Sequence, residues 1–261
     1  MKSFTRLFFS LRIGLFLLAA SCACASPGDS IRFERLFADA SRAYDENRLP
    51  ESIAAWESLL DEGQALPEIL YNLGNSYYRN GDLGKAIRAY RHAQTLAPRD
   101  PDVLANLGFA AQTAGVELPH RPFAMRLLLD ASSREWLAAA SVSFWSLFAF
   151  LAAWILSPRF RFLSRPAALV AALALALSLA GLLAHSRLRR SPECVVVSGP
   201  HKLFSGPLDS ATPLLSLPEG AIVRKLGARG PWFEVQADAA RGWIPSSALE
   251  PVLRPDLPAN R

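Results

Sequence analysis

The chain has four histidines, His92, His120, His185 and His201, and three cysteines, Cys22, Cys24 and Cys194. None stands in an H-x-x-x-H or C-x-x-C arrangement, the spacings that set two metal-binding groups on one helix face or turn. There is no G-x-x-x-x-G-K-[ST] phosphate loop and no G-x-S-x-G nucleophile elbow. Hydrolysis would need two carboxylates converging in a cleft, and no spacing here declares such a pair. The expectation is a protein without catalytic residues, metal or cofactor. The residues with chemistry to offer are suited to binding, and they form two groups. Tyr71, Asn72, Asn75, Tyr78 and Arg79 crowd one short segment, and Asn106 lies further along. Amide side chains donate and accept together, as a peptide backbone does, so such residues can hold an extended chain. The competing role for Asn72 and Asn106 is to satisfy neighbouring backbone groups. The second group is Trp232, Trp243 and Pro245, rigid apolar faces suited to a peptide or a cell-wall stem. For Trp243 the alternative is to fill a small core.

The first group sits in an internal repeat. P-E-I-L-Y-N-L-G at 67–74 recurs as P-D-V-L-A-N-L-G at 101–108, an offset of 34 residues. The same offset relates Tyr44 to Tyr78 and Trp56 to Tyr90. In the middle unit Leu70, Leu73, Gly74 and Tyr77 share a helix face, and Gly81 makes a turn. Leu83, Ala86, Tyr90 and Ala93 belong to a second helix. This unit resembles a tetratricopeptide repeat, whose period is 34 residues. The unit before it is degenerate, with Asn47 in place of the turn glycine and Ser52 in place of the small second-helix residue. The third unit is a single capping helix to about Gly115. The resemblance implies an all-α solenoid over 30–118 whose concave, helix-A face takes extended peptides. A clamp for a terminal carboxylate would need lysines, and Asp102 stands where one would help. His92, on the second helix, is expected on a solvated face.

Half of the 261 residues are hydrophobic and mean hydropathy is +0.17, high for a soluble chain. The net charge of +5 is unevenly spread. Residues 27–120 hold nine basic and fourteen acidic side chains, and 193–261 are balanced. The excess of arginine flanks apolar runs, which excludes a basic surface for nucleic acid. Trp136 to Ser157 and Ala167 to Ser186 are uncharged runs of about the 20 residues that a bilayer requires. They are expected to be transmembrane helices 136–157 and 167–186. A loop at 158–166 joins them, and its Arg159, Arg161 and Arg165 favour the cytoplasmic side. Arg187, Arg189 and Arg190 argue the opposite way. The export signal decides: Lys2, Arg6 and Arg12 precede an apolar core, and Ala23-Cys24-Ala25 forms a cleavage site, so 1–25 reads as a signal peptide. Lipoprotein processing at Cys22 is the alternative. Both soluble regions then face the outer side.

From Cys194 the pattern becomes short β-runs, CVVVS, AIVRKLG, WFEVQA and GWIPSSALE, between turn signals. R-G-W-I-P-S-S-A-L resembles the closing segment of bacterial Src-homology-3-like domains, which implies a small all-β barrel over 194–253 and a tail at 254–261. Cys194 is expected as a buried small hydrophobe. The whole order is that of a multi-domain membrane protein: solenoid, two transmembrane helices, barrel. It resembles BatE-like proteins of the Bacteroides aerotolerance operons, and the run at 72–101 carries that likeness. The resemblance implies a scaffold in the cytoplasmic membrane with both soluble domains in the periplasm. Its partners would be membrane proteins with von Willebrand factor A domains and a BatD-like protein, with a MoxR-type ATPase across the bilayer. The barrel alone points to a second role, as a peptidoglycan-binding sensor or anchor.

Overall fold

The computed structural model describes residues 27–119, 123–156, 161–190, 193–238 and 240–253. The expected signal peptide, Cys22, Cys24, His120, Arg159 and the tail lie outside the described residues.

Five helices come first: α1 (Pro27–Asp45), α2 (Leu49–Asp61), α3 (Pro67–Asn80), α4 (Leu83–Leu96) and α5 (Pro101–Ala114). Proline opens α3 and α5 at the one position where its missing N–H costs nothing. At α5 the Asp100 carboxylate also caps the N–H groups of Asp102 and Val103. The 34-residue period reappears in the turns. Asn47, Gly81 and Gly115 all adopt positive φ, at 59°, 90° and 67°. Asparagine tolerates this left-handed region better than most side chains, which is why it can replace the glycine. Ser52 shows how the first unit accepts a polar residue in its core. It is fully buried, and its hydroxyl lies 3.0 Å from both the Ala40 carbonyl and the Ser76 hydroxyl. Trp56, Leu59, Leu73, Tyr77, Ile87, Tyr90 and Leu107 fill the interior.

A short helix, α6 (Phe123–Asp130), leads to two long apolar helices, α7 (Ser133–Leu156) and α8 (Arg161–Arg190). Both are long and apolar enough to span a membrane. They pack on each other and leave large side chains such as Trp145, Phe148, Leu169 and Leu173 exposed. Helix α8 already starts at Arg161, so much of the stretch read as a loop is helical; Pro166 falls within it. The ends of α7 and α8 nearest the repeats in sequence and nearest the sheet are pinned to α6 and the residue after it. The Trp136 indole donates to the Leu128 carbonyl at 2.8 Å, and His185 Nε2 is 3.0 Å from the Ala131 carbonyl.

The last region is an antiparallel sheet of seven strands: β1 (Glu193–Val196), β2 (His201–Phe204), β3 (Pro213–Leu217), β4 (Ile222–Arg229), β5 (Trp232–Ala237), β6 (Ala240–Pro245) and β7 (Leu249–Pro251). The order is β3-β2-β6-β5-β4-β1-β7, an open sheet with β3 and β7 at its edges. A single 3-10 turn, Ser246–Ala248, precedes β7.

The helical repeats and the sheet are not separate. Strand β1 lies on α4, and alternation splits its side chains between two cores. Cys194 and Val196 enter the core of the sheet, while Val195 joins Val252 in the core of the helices. A strand covered on both faces reads as a continuous apolar run, as C-V-V-V does. Burial pushes the Cys194 thiol up to about 11. The folded state therefore keeps its proton above the ordinary thiol value of about 8.5. The associated stability is complete below that pH and is lost as pH rises towards 11. Two results are expected: the peptide carrying Cys194 resists alkylation at pH 8 until the protein is denatured, and a Cys194→Val variant loses less thermal stability than the parent on that alkaline limb. Rapid labelling of the native chain would contradict the buried placement.

Candidate functional site

The first candidate site is the face formed by α3 and α5, the first helices of their units. The structure brings Tyr71, Asn75 and Asn106 together and adds Tyr90 from α4. The Asn75 carbonyl oxygen accepts from the Tyr90 hydroxyl at 2.7 Å and from the Asn106 amide at 2.9 Å. The Asn106 amide also lies 3.1 Å from the Tyr71 hydroxyl. Burial holds the Tyr90 hydroxyl well above the usual tyrosine range, so it stays protonated and remains a donor. With its oxygen doubly occupied, Asn75 keeps its amide N–H groups for an incoming acceptor such as a peptide carbonyl. Asn72 is half-buried, and among the described residues its side chain has no hydrogen bond.

Tyr78 continues this face. Its ring packs 5.6 Å from Phe109, and its hydroxyl is 3.2 Å from that of Thr113. Phe109 is 58% exposed, a large apolar ring left open on the same face. Sequence reasoning missed Phe109 and Thr113 because the recognisable repeat run ends at Gly108, one residue before Phe109. Arg79 has a different task. Its guanidinium donates to the Tyr44 carbonyl at 3.1 Å and to the Asn47 carboxamide at 2.9 Å, and it sits 4.4 Å over the Tyr44 ring. It ties the second unit to the first.

At the lower end of this face is a cavity of about 510 Å³ lined by Leu66, Pro67, Glu68, Tyr71, Ala97, Asp100, Asp102 and Val103. Three carboxylates border it. A segment that offers a carboxylate meets repulsion there, whereas a lysine or arginine meets charge complementarity.

The opposite, outward face of α4 is closed by the sheet. Arg91 pairs with Glu193 at 2.9 Å and Arg88 with Glu250 at 3.1 Å. The Gly84 N–H donates to the Glu219 carboxylate at 2.8 Å. Glycine is required at 84 by proximity: a Cβ there would lie 2.4 Å from the Val196 carbonyl oxygen and 2.9 Å from the Val197 Cα. His92 is buried in this interface beside Arg88, Leu60, Leu70 and Val252, contrary to the solvated position expected for it. The interface covers the outward face and leaves the α3–α5 face open.

The second candidate site lies on the sheet. Trp232 pairs across from Pro245 and Glu234 from Trp243, so Trp232, Trp243 and Pro245 share one face of β5 and β6. Val235 and Ile244 occupy the other face, in the core. Trp243 is therefore half-buried on the outer side, away from that core. Phe204 of β2 joins the group opposite Trp243, with its ring 5.6 Å from Trp232 and nearly perpendicular to it.

Among the described residues no group of three histidines, cysteines or carboxylates is placed to hold a metal ion. A family model for the tetratricopeptide repeat matches residues 67–100. Repeats of this type serve protein–protein interaction, and the match spans α3 and α4. No curated protein sequence matches the chain significantly.

Proposed function

We propose that this chain is a membrane-anchored, non-enzymatic scaffold that binds a protein segment on the α3–α5 face. The observation that carries it is the asymmetry of the repeat domain: one face is closed by the sheet, and the other presents Tyr71, Asn75, Tyr78 and Phe109. The carboxylates of Glu68, Asp100 and Asp102 select a partner segment with basic side chains and disfavour a terminal carboxylate. The residues of 72–101 support a BatE-like scaffold in a Bat-type envelope complex linked to stress tolerance. Its partners would be von Willebrand A-domain membrane proteins and a BatD-like protein. Mild crosslinking in membranes followed by detergent purification should recover such a protein; recovery of no membrane protein contradicts this reading.

The docking of sheet on helices also supports the topology. Two regions in direct contact must lie on the same side of a bilayer, so α7 and α8 form one outward-and-back crossing. The export signal favours the periplasmic side. Alkaline phosphatase joined after Asp130 or after Leu253 should be active, and joined at Leu163 inactive. Activity at Leu163 with none at Leu253 would reverse the orientation.

A second reading is favoured by the Trp232, Trp243, Pro245 and Phe204 cluster, which suits a Src-homology-3-like groove and a peptidoglycan-binding anchor. In that case the intact protein in detergent should sediment with wall sacculi, and Trp243→Ala should reduce sedimentation several-fold.

A further inference from the structure

We infer that the crevice at the loop end of the α7–α8 hairpin, between Trp154 and Arg165, is a binding site for the phosphodiester headgroup of an anionic phospholipid. The inference rests on the membrane reading above. The crevice measures about 330 Å³ and is lined by Leu151 and Trp154 from α7 and by Ser164, Arg165 and Ala168 from α8. Three features point to this ligand. First, Ser164 is only 4% exposed, and its hydroxyl has no hydrogen-bond partner among the described residues. Three other serines of these two helices, Ser141, Ser178 and Ser186, each donate to a carbonyl of their own helix. A hydroxyl buried without a partner in apolar surroundings is a donor held ready for an acceptor. Second, the Arg165 guanidinium lies 5.4 Å from the centre of the Trp154 ring. The ring steadies the planar group from one side, and its N–H edges remain available for the paired oxygens of a phosphate. Third, the charge at this end has one sign: residues 136–186 contain three arginines, Arg159, Arg161 and Arg165, and no aspartate or glutamate. No carboxylate competes for Arg165, and none would receive the ammonium of a zwitterionic headgroup.

Leu151 and Ala168 make the deeper walls apolar, as suits the glycerol and the first methylenes of an acyl chain. Tryptophan and arginine at the end of a span are where headgroups lie, and basic pockets between membrane helices are suited to anionic ones.

The test uses the full chain, purified in detergent, stripped of lipid and kept in phosphate-free buffer. Native mass spectrometry then measures retention of phosphatidylglycerol, of a diacylglycerol with the same chains, and of inorganic phosphate. The parent should retain one phosphatidylglycerol with about tenfold higher affinity than Arg165→Gln. Ser164→Ala should fall between them, and Arg165→Lys should recover part of the loss. Diacylglycerol should not be retained. Equal retention of phosphatidylglycerol by the parent and Arg165→Gln, a substitution at an exposed position, would overturn the site. Retention of inorganic phosphate as strong as that of the lipid would overturn the lipid as its source. Alkaline carbonate washing of membranes separates the two levels. Release of the chain overturns the membrane reading and this inference together, whereas a chain that stays embedded but whose variants bind alike overturns only the inference.

Discussion

Replacing Glu193 with alanine is expected to release the sheet from the repeats. Arg91 is one of the most buried charges in the chain, with 6% of its side chain exposed, and Glu193 holds it with both carboxylate oxygens at 2.9 and 3.2 Å. Removing one partner of a buried pair leaves the other charge uncompensated, which commonly costs about 3–5 kcal/mol. The domains escape that cost by separating, so that Arg91 reaches water. Gly84→Ala should give the same outcome by a steric route. Its methyl group would meet the Val196 carbonyl oxygen and the Val197 Cα, backbone atoms that cannot rotate away. Within an isolated helix the same change is favourable by up to about 1 kcal/mol. The two variants thus share an outcome only if docking is what they disturb. Hydrogen exchange should show α4 and β1 amides opening together in both. The reciprocal swap, Arg91→Glu with Glu193→Arg, should restore part of the protection. Parental protection of α4 in Glu193→Ala and Gly84→Ala would contradict the interface.

The second large effect separates core from binding face. Leu73 is 1% exposed within the helical interior, and Leu73→Ala should cost roughly 2–5 kcal/mol of stability. Tyr78, five residues on, is half-buried and leans on exposed Phe109. Tyr78→Ala should leave the melting temperature nearly intact and weaken partner binding about thirtyfold, the loss typical of a central interface anchor worth about 2 kcal/mol. Melting temperature and partner affinity, measured on both variants, distinguish the cases. A Tyr78→Ala variant that melts as early as Leu73→Ala would place Tyr78 in the core.

The helical region was legible because its information is local and repeated. The 34-residue offset located the turns at Asn47, Gly81 and Gly115, and each does adopt the left-handed backbone that those residue types allow. It also marked Ser52 as the odd member of the small-residue positions, where a buried hydroxyl pair with Ser76 now accounts for it. The polar network was half legible. Asn75 and Asn106 stood out as amides, but their direct hydrogen bond and the added Tyr90 hydroxyl need three helices to be placed at once.

The docking interface was not legible, for a physical reason. Arg88, Arg91 and His92 follow helical spacing on an outward face, which is also the pattern of a solvated surface. What makes them interior is Glu193 and Glu250, more than a hundred residues away and beyond two apolar helices. Only the unbroken C-V-V-V run hinted at a strand covered on both sides. Arg79 has contacts that its spacing did not announce. Its position beside Tyr78 suggested a ligand contact, while its length lets it reach back to Tyr44 and Asn47.

The most direct test of the scaffold is site-specific photocrosslinking in intact membranes. A photoreactive residue at Tyr78 on the open face is compared with one at Arg88 on the face covered by the sheet. Position 78 should give an adduct with a von Willebrand A-domain membrane protein, and position 88 only crosslinks within the chain itself. An external protein captured from position 88 with none from position 78 would contradict the scaffold role.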